Sequence, residues 1–146
     1  MSDIIEKPRP DTPTDLVILL MAANEGDAVD GIVRLDKMLV MLMSMNVFPP
    51  ECFKTVTKPY KYGPFAETLL DDLQALEEIG FLQIHDTAIT CSHFGKAAQA
   101  IYDLSPNQTR ALTIVKGLMG HMDLLSVLNM AYWGNLEGRT GRNLPL

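Results

Sequence analysis

Leu69, Leu70, Leu73, Leu76 and Ile79 fall at steps of three and four residues along the chain, and most of the polar residues between them are acidic. This spacing predicts an amphipathic helix with one apolar stripe. Pro64 suits its first turn, where an N–H would be unpaired in any case. Glu67 lies near the positive end of the helix dipole, and Gly80 suits a left-handed exit. Beyond Gly80 the pattern tightens. Phe81, Leu82 and Ile84, then Ile89 and Cys91, flank the short segment His85-Asp-Thr-Ala, which predicts a β-hairpin.

Upstream, Leu16, Leu19, Leu20 and Ala23 share one helical face over residues 15–24, with Thr14 placed to cap it and Glu25-Gly-Asp to end it. Ile32, Leu35, Met38, Leu39 and Leu42 predict a second helix over residues 30–45, which Pro49 and Pro50 cannot continue. Residues 51–62 show no period and read as an irregular or partly extended connection. Downstream of the hairpin, residues 94–103 predict a short helix. Ser105 and Pro106 then supply a cap and a first turn for a helix that carries Leu112, Val115 and Leu118 and ends near Gly120. Residues 122–133 form a last apolar helix in this reading.

Residues 1–13 hold three prolines and mixed charges and read as a flexible lead-in, and residues 134–146, with three glycines and no period, as a loose tail. That leaves residues 14–133 as one domain. A length of 146 residues supports one core and gives no reason for two. The order of helices and hairpin predicts a mainly α fold, a winged helix-turn-helix with a short β-hairpin wing and extra C-terminal helices.

Composition narrows the function classes. No uninterrupted apolar run approaches the ~20 residues that span a bilayer, so no membrane association is expected. The opening Met-Ser-Asp-Ile-Ile-Glu-Lys-Pro has neither the basic start nor the apolar centre of a signal peptide. The two cysteines, Cys52 and Cys91, fit buried free thiols in a reducing cytoplasm. His85, His93 and His121 share no helical i, i+4 spacing; Cys91-x-His93 beside His85 is too sparse for a zinc site, with no CxxC or HxxxH in the chain. Gly138-Arg-Thr-Gly-Arg lacks the strand and helix of a phosphate loop. The expectation is a non-enzymatic chain without metal or cofactor.

Charge bears on nucleic acid. The net charge is −6, and the helix over residues 64–80 holds Glu67, Asp71, Asp72, Glu77 and Glu78 without one Lys or Arg. In a winged helix this element faces the major groove, where phosphates would repel it. The basic residues stand elsewhere: Arg34 and Lys37 on the preceding helix, then Lys54, Lys58 and Lys61 with Tyr60 interleaved. Aromatics among lysines are a nucleic-acid pattern, so these six are the candidate DNA contacts. Glu67, Asp71 and Asp72 are candidate protein contacts, joined by Met41 and Met45, which fall away from the Leu35–Leu39–Leu42 face; methionine side chains repack readily against a partner.

Gly31-Ile-Val-Arg-Leu-Asp-Lys-Met-Leu39, then Pro59-Tyr-Lys-Tyr-Gly-Pro-Phe65, then the leucine-rich helix closing on Gly80, resembles the Panacea-type antitoxin domains and related uncharacterised prokaryotic winged-helix proteins. The resemblance covers about residues 15–132. Ile89-Thr90 and Gly95 stand near the family's Leu-Thr-x-x-Gly element, with four residues between Thr90 and Gly95 in place of two. The resemblance implies an α-rich winged-helix fold, no cofactor and a regulatory or partner-neutralising role. The resulting expectation is a cytoplasmic, prokaryotic or phage-like regulatory module that binds a protein in an antitoxin-like or adaptor role, with a DNA-binding regulator as the alternative. Leu124, Leu125, Leu128, Tyr132 and Trp133 point to homodimerisation through the C-terminal helices.

Overall fold

The computed structural model describes residues 6–54 and 66–128, with residues 66–68 as backbone only. In chain order the elements are α1 (Pro13–Gly26), β1 (Val29–Asp30), α2 (Ile32–Met45), a 3-10 turn (Pro50–Phe53), α3 (Ala66–Glu78), β2 (Leu82–His85), β3 (Ala88–Cys91), α4 (His93–Lys96), a second 3-10 turn (Ala97–Ile101) and α5 (Pro106–Met119). Residues 124–128 form a further helical turn. The fold is mainly α with a three-stranded antiparallel sheet in the order β1-β3-β2.

The cap of α1 is Thr12, not Thr14. Pro13 takes the first turn, Asp15 N–H donates to Thr12 Oγ1, and the Asp15 carboxylate accepts from the Thr12 and Asp11 N–H groups in return. A capping box therefore forms two residues earlier than expected, with Thr14 inside the helix. Helical geometry in α1 stops at Ala23, and Asn24, Glu25 and Gly26 all have positive φ. The chain thus leaves α1 through three consecutive left-handed residues.

Asp30, expected at the start of the second helix, belongs to a strand. Val29 and Asp30 pair with Ile89 and Ala88. Thr87 Oγ1 donates to Asp30 Oδ1 at 2.6 Å, and Gly31 N–H donates to Thr87 O at 2.8 Å. Gly31, with φ of 100°, then turns the chain into α2, a conformation costly for any residue with a Cβ. The expected hairpin forms, with Leu82, Gln83, Ile84 and His85 facing Cys91, Thr90, Ile89 and Ala88; His85 and Ala88, expected in the turn, are paired strand residues, and Asp86 adopts the left-handed region at the turn.

The expected helix over residues 94–103 is instead a four-residue α4 followed by a 3-10 turn. Ser92 Oγ accepts from Gly95 N–H at 2.9 Å and lies 2.6 Å from Gly80 O, binding α4 to the start of the hairpin. Gly95 is buried so closely there that an added Cβ would lie 2.2 Å from Phe81 O. α5 begins as expected, with Ser105 and Gln108 in a reciprocal capping box and Pro106 in the first turn.

Leu16, Leu19 and Leu20 of α1, Leu35, Leu39 and Leu42 of α2 and Leu112 and Val115 of α5 make the centre of the core, onto which Leu69, Leu73 and Leu76 of α3 and Leu82 and Ile89 of the sheet also pack. Three expected stripe residues are outside it: Leu70, Ile79 and Leu118 are exposed. Part of the segment expected as a flexible lead-in is tied to the body. Pro10 is buried, Cys52 Sγ donates to Pro10 O, and Asp103 N–H donates to Pro8 O.

Candidate functional site

α3 rests on Leu69, Leu73 and Leu76 and turns its other side to solvent. That side carries Leu70, Asp71, Gln74, Glu77 and Glu78, all exposed. Glu77 also accepts the Ile84 N–H at 2.9 Å, so it covers a main-chain donor of β2 as well as charging the surface. Asp72 is half-buried with one carboxylate oxygen unbonded, and burial raises its pKa above the usual 3.8, opposed by a hydrogen bond from Thr14. It belongs to the margin between α3 and α1 rather than to the outer face. Met45 is exposed and Met41 half-buried at the end of α2, where Ser44 Oγ donates to Met41 O.

Of the basic candidates, Arg34, Lys37 and Lys54 are among the described residues, and they form no shared exposed patch. Arg34 is buried: its Nη1 donates to Met119 O and Met122 O, both at 2.6 Å, and its Nε to Asp30 O at 3.2 Å. The reading of Arg34 as a phosphate contact is therefore corrected; the guanidinium neutralises the carbonyl end of α5. Lys37 is mostly covered and lies 3.1 Å from the buried Asp36 carboxylate. Lys54 is exposed. Lys58, Tyr60 and Lys61 lie outside the described residues, as does the whole Tyr-Gly-Pro turn, and the side chain of Glu67 is likewise outside them.

One buried cation escaped the sequence reading. Lys116 is 2% exposed, and its Nζ donates to Met21 O at 2.8 Å and Ala23 O at 2.7 Å, where α1 loses its helical geometry. Burial pushes its pKa down to about 8, against the opposing pull of Cys91 and Asp27. The readable signal was its position: Lys116 lies four residues after Leu112 and three before Met119, inside the apolar stripe of α5. With Arg34 and Lys116 both inside and Asp36 the one fully buried carboxylate among the described residues, the surface is more acidic than the formal balance suggests.

Tyr102 Oη donates to Asp15 Oδ1 at 2.6 Å. Although burial raises the Asp15 pKa, its bonds from Asp11, Tyr102 and Thr12 hold it below 3.8 overall. Burial, with Asp15 nearby, pushes the Cys52 thiol up to about 12, and burial also raises Cys91, so neither favours a thiolate. His85, His93 and His121 are exposed, and among the described residues no three His, Cys, Asp or Glu side chains gather as a metal site. No described helix is long and apolar enough to cross a membrane. Leu124 and Leu125 are exposed and Leu128 partly so, while Tyr132 and Trp133 lie outside the described residues.

Comparison with protein-family models, with curated proteins and with solved structures returned no match.

Proposed function

We propose that this chain is a winged-helix module that binds a protein partner through the outer face of α3, in a regulatory, antitoxin-like or adaptor role. The order α1-β1-α2-α3-β2-β3, with β3 between β1 and β2, supports the winged-helix reading. In that reading α3 is the presented helix and the β2–β3 hairpin the wing.

The observation that carries the choice of partner is the make-up of the α3 face. Asp71, Glu77 and Glu78 are exposed on the same helix as a half-exposed Leu70, and no Lys or Arg occurs from Ala66 to Glu78. A phosphate backbone is repelled there, whereas a protein surface with basic and apolar groups meets both features. Withdrawal of Arg34 and Lys116 to backbone carbonyls removes two cations that a DNA-facing surface would need.

Two measurements test this. Binding to mixed duplex DNA at low and moderate salt is expected to be absent; salt-sensitive binding that Lys54→Glu weakens would replace this reading with a DNA-binding regulator. Affinity capture with the wild-type chain, compared with a Leu70→Glu/Asp71→Lys variant of unchanged circular dichroism, is expected to lose its partner in the variant. A partner retained equally by both would put the binding surface elsewhere.

A further inference from the structure

We propose that the outer strip of α5, continued by the turn that follows it, is a twofold contact between two copies of this chain. Ile114 and Leu118 lie one helical turn apart and are 47% and 50% exposed, and beyond them Leu124 and Leu125 are 45% and 68% exposed. Arg110, also exposed, stands one turn before Ile114 on the same strip. Large apolar side chains left exposed one turn apart on a helix mark an interaction surface.

Charge selects the occupant. With 18 acidic residues against 12 Lys and Arg, two copies repel wherever their acidic faces meet. Residues 105–122 contain no Asp or Glu. Of the two full cations in that stretch, Lys116 is buried and Arg110 faces solvent. The strip itself therefore sets no carboxylate of its own against the same strip of a copy.

Its two ends are also complementary. Asp123, the first acid after the strip, is exposed, and its carboxylate accepts from Ser126 N–H at 2.8 Å and Ser126 Oγ at 3.0 Å. Those bonds hold its pKa below the usual 3.8, so it is charged at neutral pH. An antiparallel packing sets Ile114 of one copy against Leu118 of the other. It also carries Arg110 of each copy towards the end of the strip at which Asp123 of the other stands. Residue i then meets j while j meets i, as a twofold contact requires.

Sedimentation equilibrium of the full chain tests the proposal. A monomer–dimer equilibrium is expected. Leu118→Glu, at an exposed position, should leave circular dichroism unchanged and give a monomer. Arg110→Glu should raise the dimer Kd at least about tenfold by facing acid with acid, while leaving circular dichroism unchanged. A monomeric wild type at concentrations of about 1 mM, where even contacts of ~4 kcal/mol would register, overturns the proposal. So does a dimer that Leu118→Glu leaves intact. A monomer whose stability falls on Leu118→Glu would overturn it too, since the chain's own later residues would then cover the strip.

Discussion

Replacing Lys116 by methionine keeps the length of the side chain and removes its charge and its donors. Two opposing terms decide the outcome at neutral pH. The bonds from Nζ to Met21 O and Ala23 O are lost, and hydrogen bonds from a charged donor contribute about 1.5–3 kcal/mol each. Against that, burial lowers the Lys116 pKa from 10.5 to about 8, a desolvation cost on the order of 3 kcal/mol that methionine escapes. The balance leaves Lys116→Met less stable by about 0–3 kcal/mol at pH 7.

The pH dependence separates these terms. Above about pH 8 the folded chain carries a neutral amine, while the unfolded chain keeps its proton to about 10.5. Between these values the unfolded state holds more protons, so the stability Lys116 confers rises with pH. The neutral amine still has a hydrogen for each of its carbonyl partners. Urea unfolding of wild type and Lys116→Met at pH 7 and pH 9.5 should show the gap widening by roughly 2 kcal/mol. A Cys91→Ser background keeps the neighbouring thiol out of the comparison. A gap that stays flat or narrows, or equal stability at both pH values, would refute the reasoning.

Gly95→Ala should destabilise the fold by about 2–3 kcal/mol in thermal or urea unfolding, because the new Cβ would meet the main-chain Phe81 O at 2.2 Å and Cys91 Sγ at 2.7 Å. Ser105→Ala should cost about 1 kcal/mol by freeing the Gln108 N–H of α5, and Ser105→Thr should recover most of it. Tyr102→Phe removes the bond to Asp15 Oδ1 and should cost about 1 kcal/mol at pH 7. Because the folded Asp15 pKa lies below 3.8, its contribution is present above that pH and fades as acid protonates it. The Tyr102→Phe difference should therefore shrink in unfolding measured at lower pH, and a difference that grows there would contradict it.

The helices were legible wherever a stripe was long enough to declare its period. Leu16–Leu20 and Leu35–Leu42 are core as the spacing predicts, and Ser105-Pro106 marks its helix by local chemistry alone. Two kinds of feature were not legible. β1 has two residues, too few for any period, and it exists because Val29 and Asp30 find Ile89 and Ala88 about sixty positions away. The buried cations failed for a related reason. Arg34 and Lys116 look like surface charges until the carbonyl ends of distant helices are brought to them. On α3 the acidic make-up was readable, while the turn of Asp72 towards α1 and the exposure of Leu70 depended on which neighbour the helix leaned against.

The two buried cations also link helix ends that are far apart in the sequence. Arg34 of α2 closes the end of α5, and Lys116 of α5 closes the end of α1, across separations of 85 and 95 positions. Each of these helix ends is thus bonded to a side chain from a remote part of the chain. A fragment ending at residue 104 would keep both hairpin strands and the whole of α1, yet would lack Lys116 and leave Arg34 only its bond to Asp30 O, without the carbonyls of Met119 and Met122. Amide exchange at the ends of α1 and α5 should accordingly slow together, at the free energy of global unfolding, rather than fray independently. On that expectation the helix ends, ordinarily the loosest parts of a helical fold, open only with the whole.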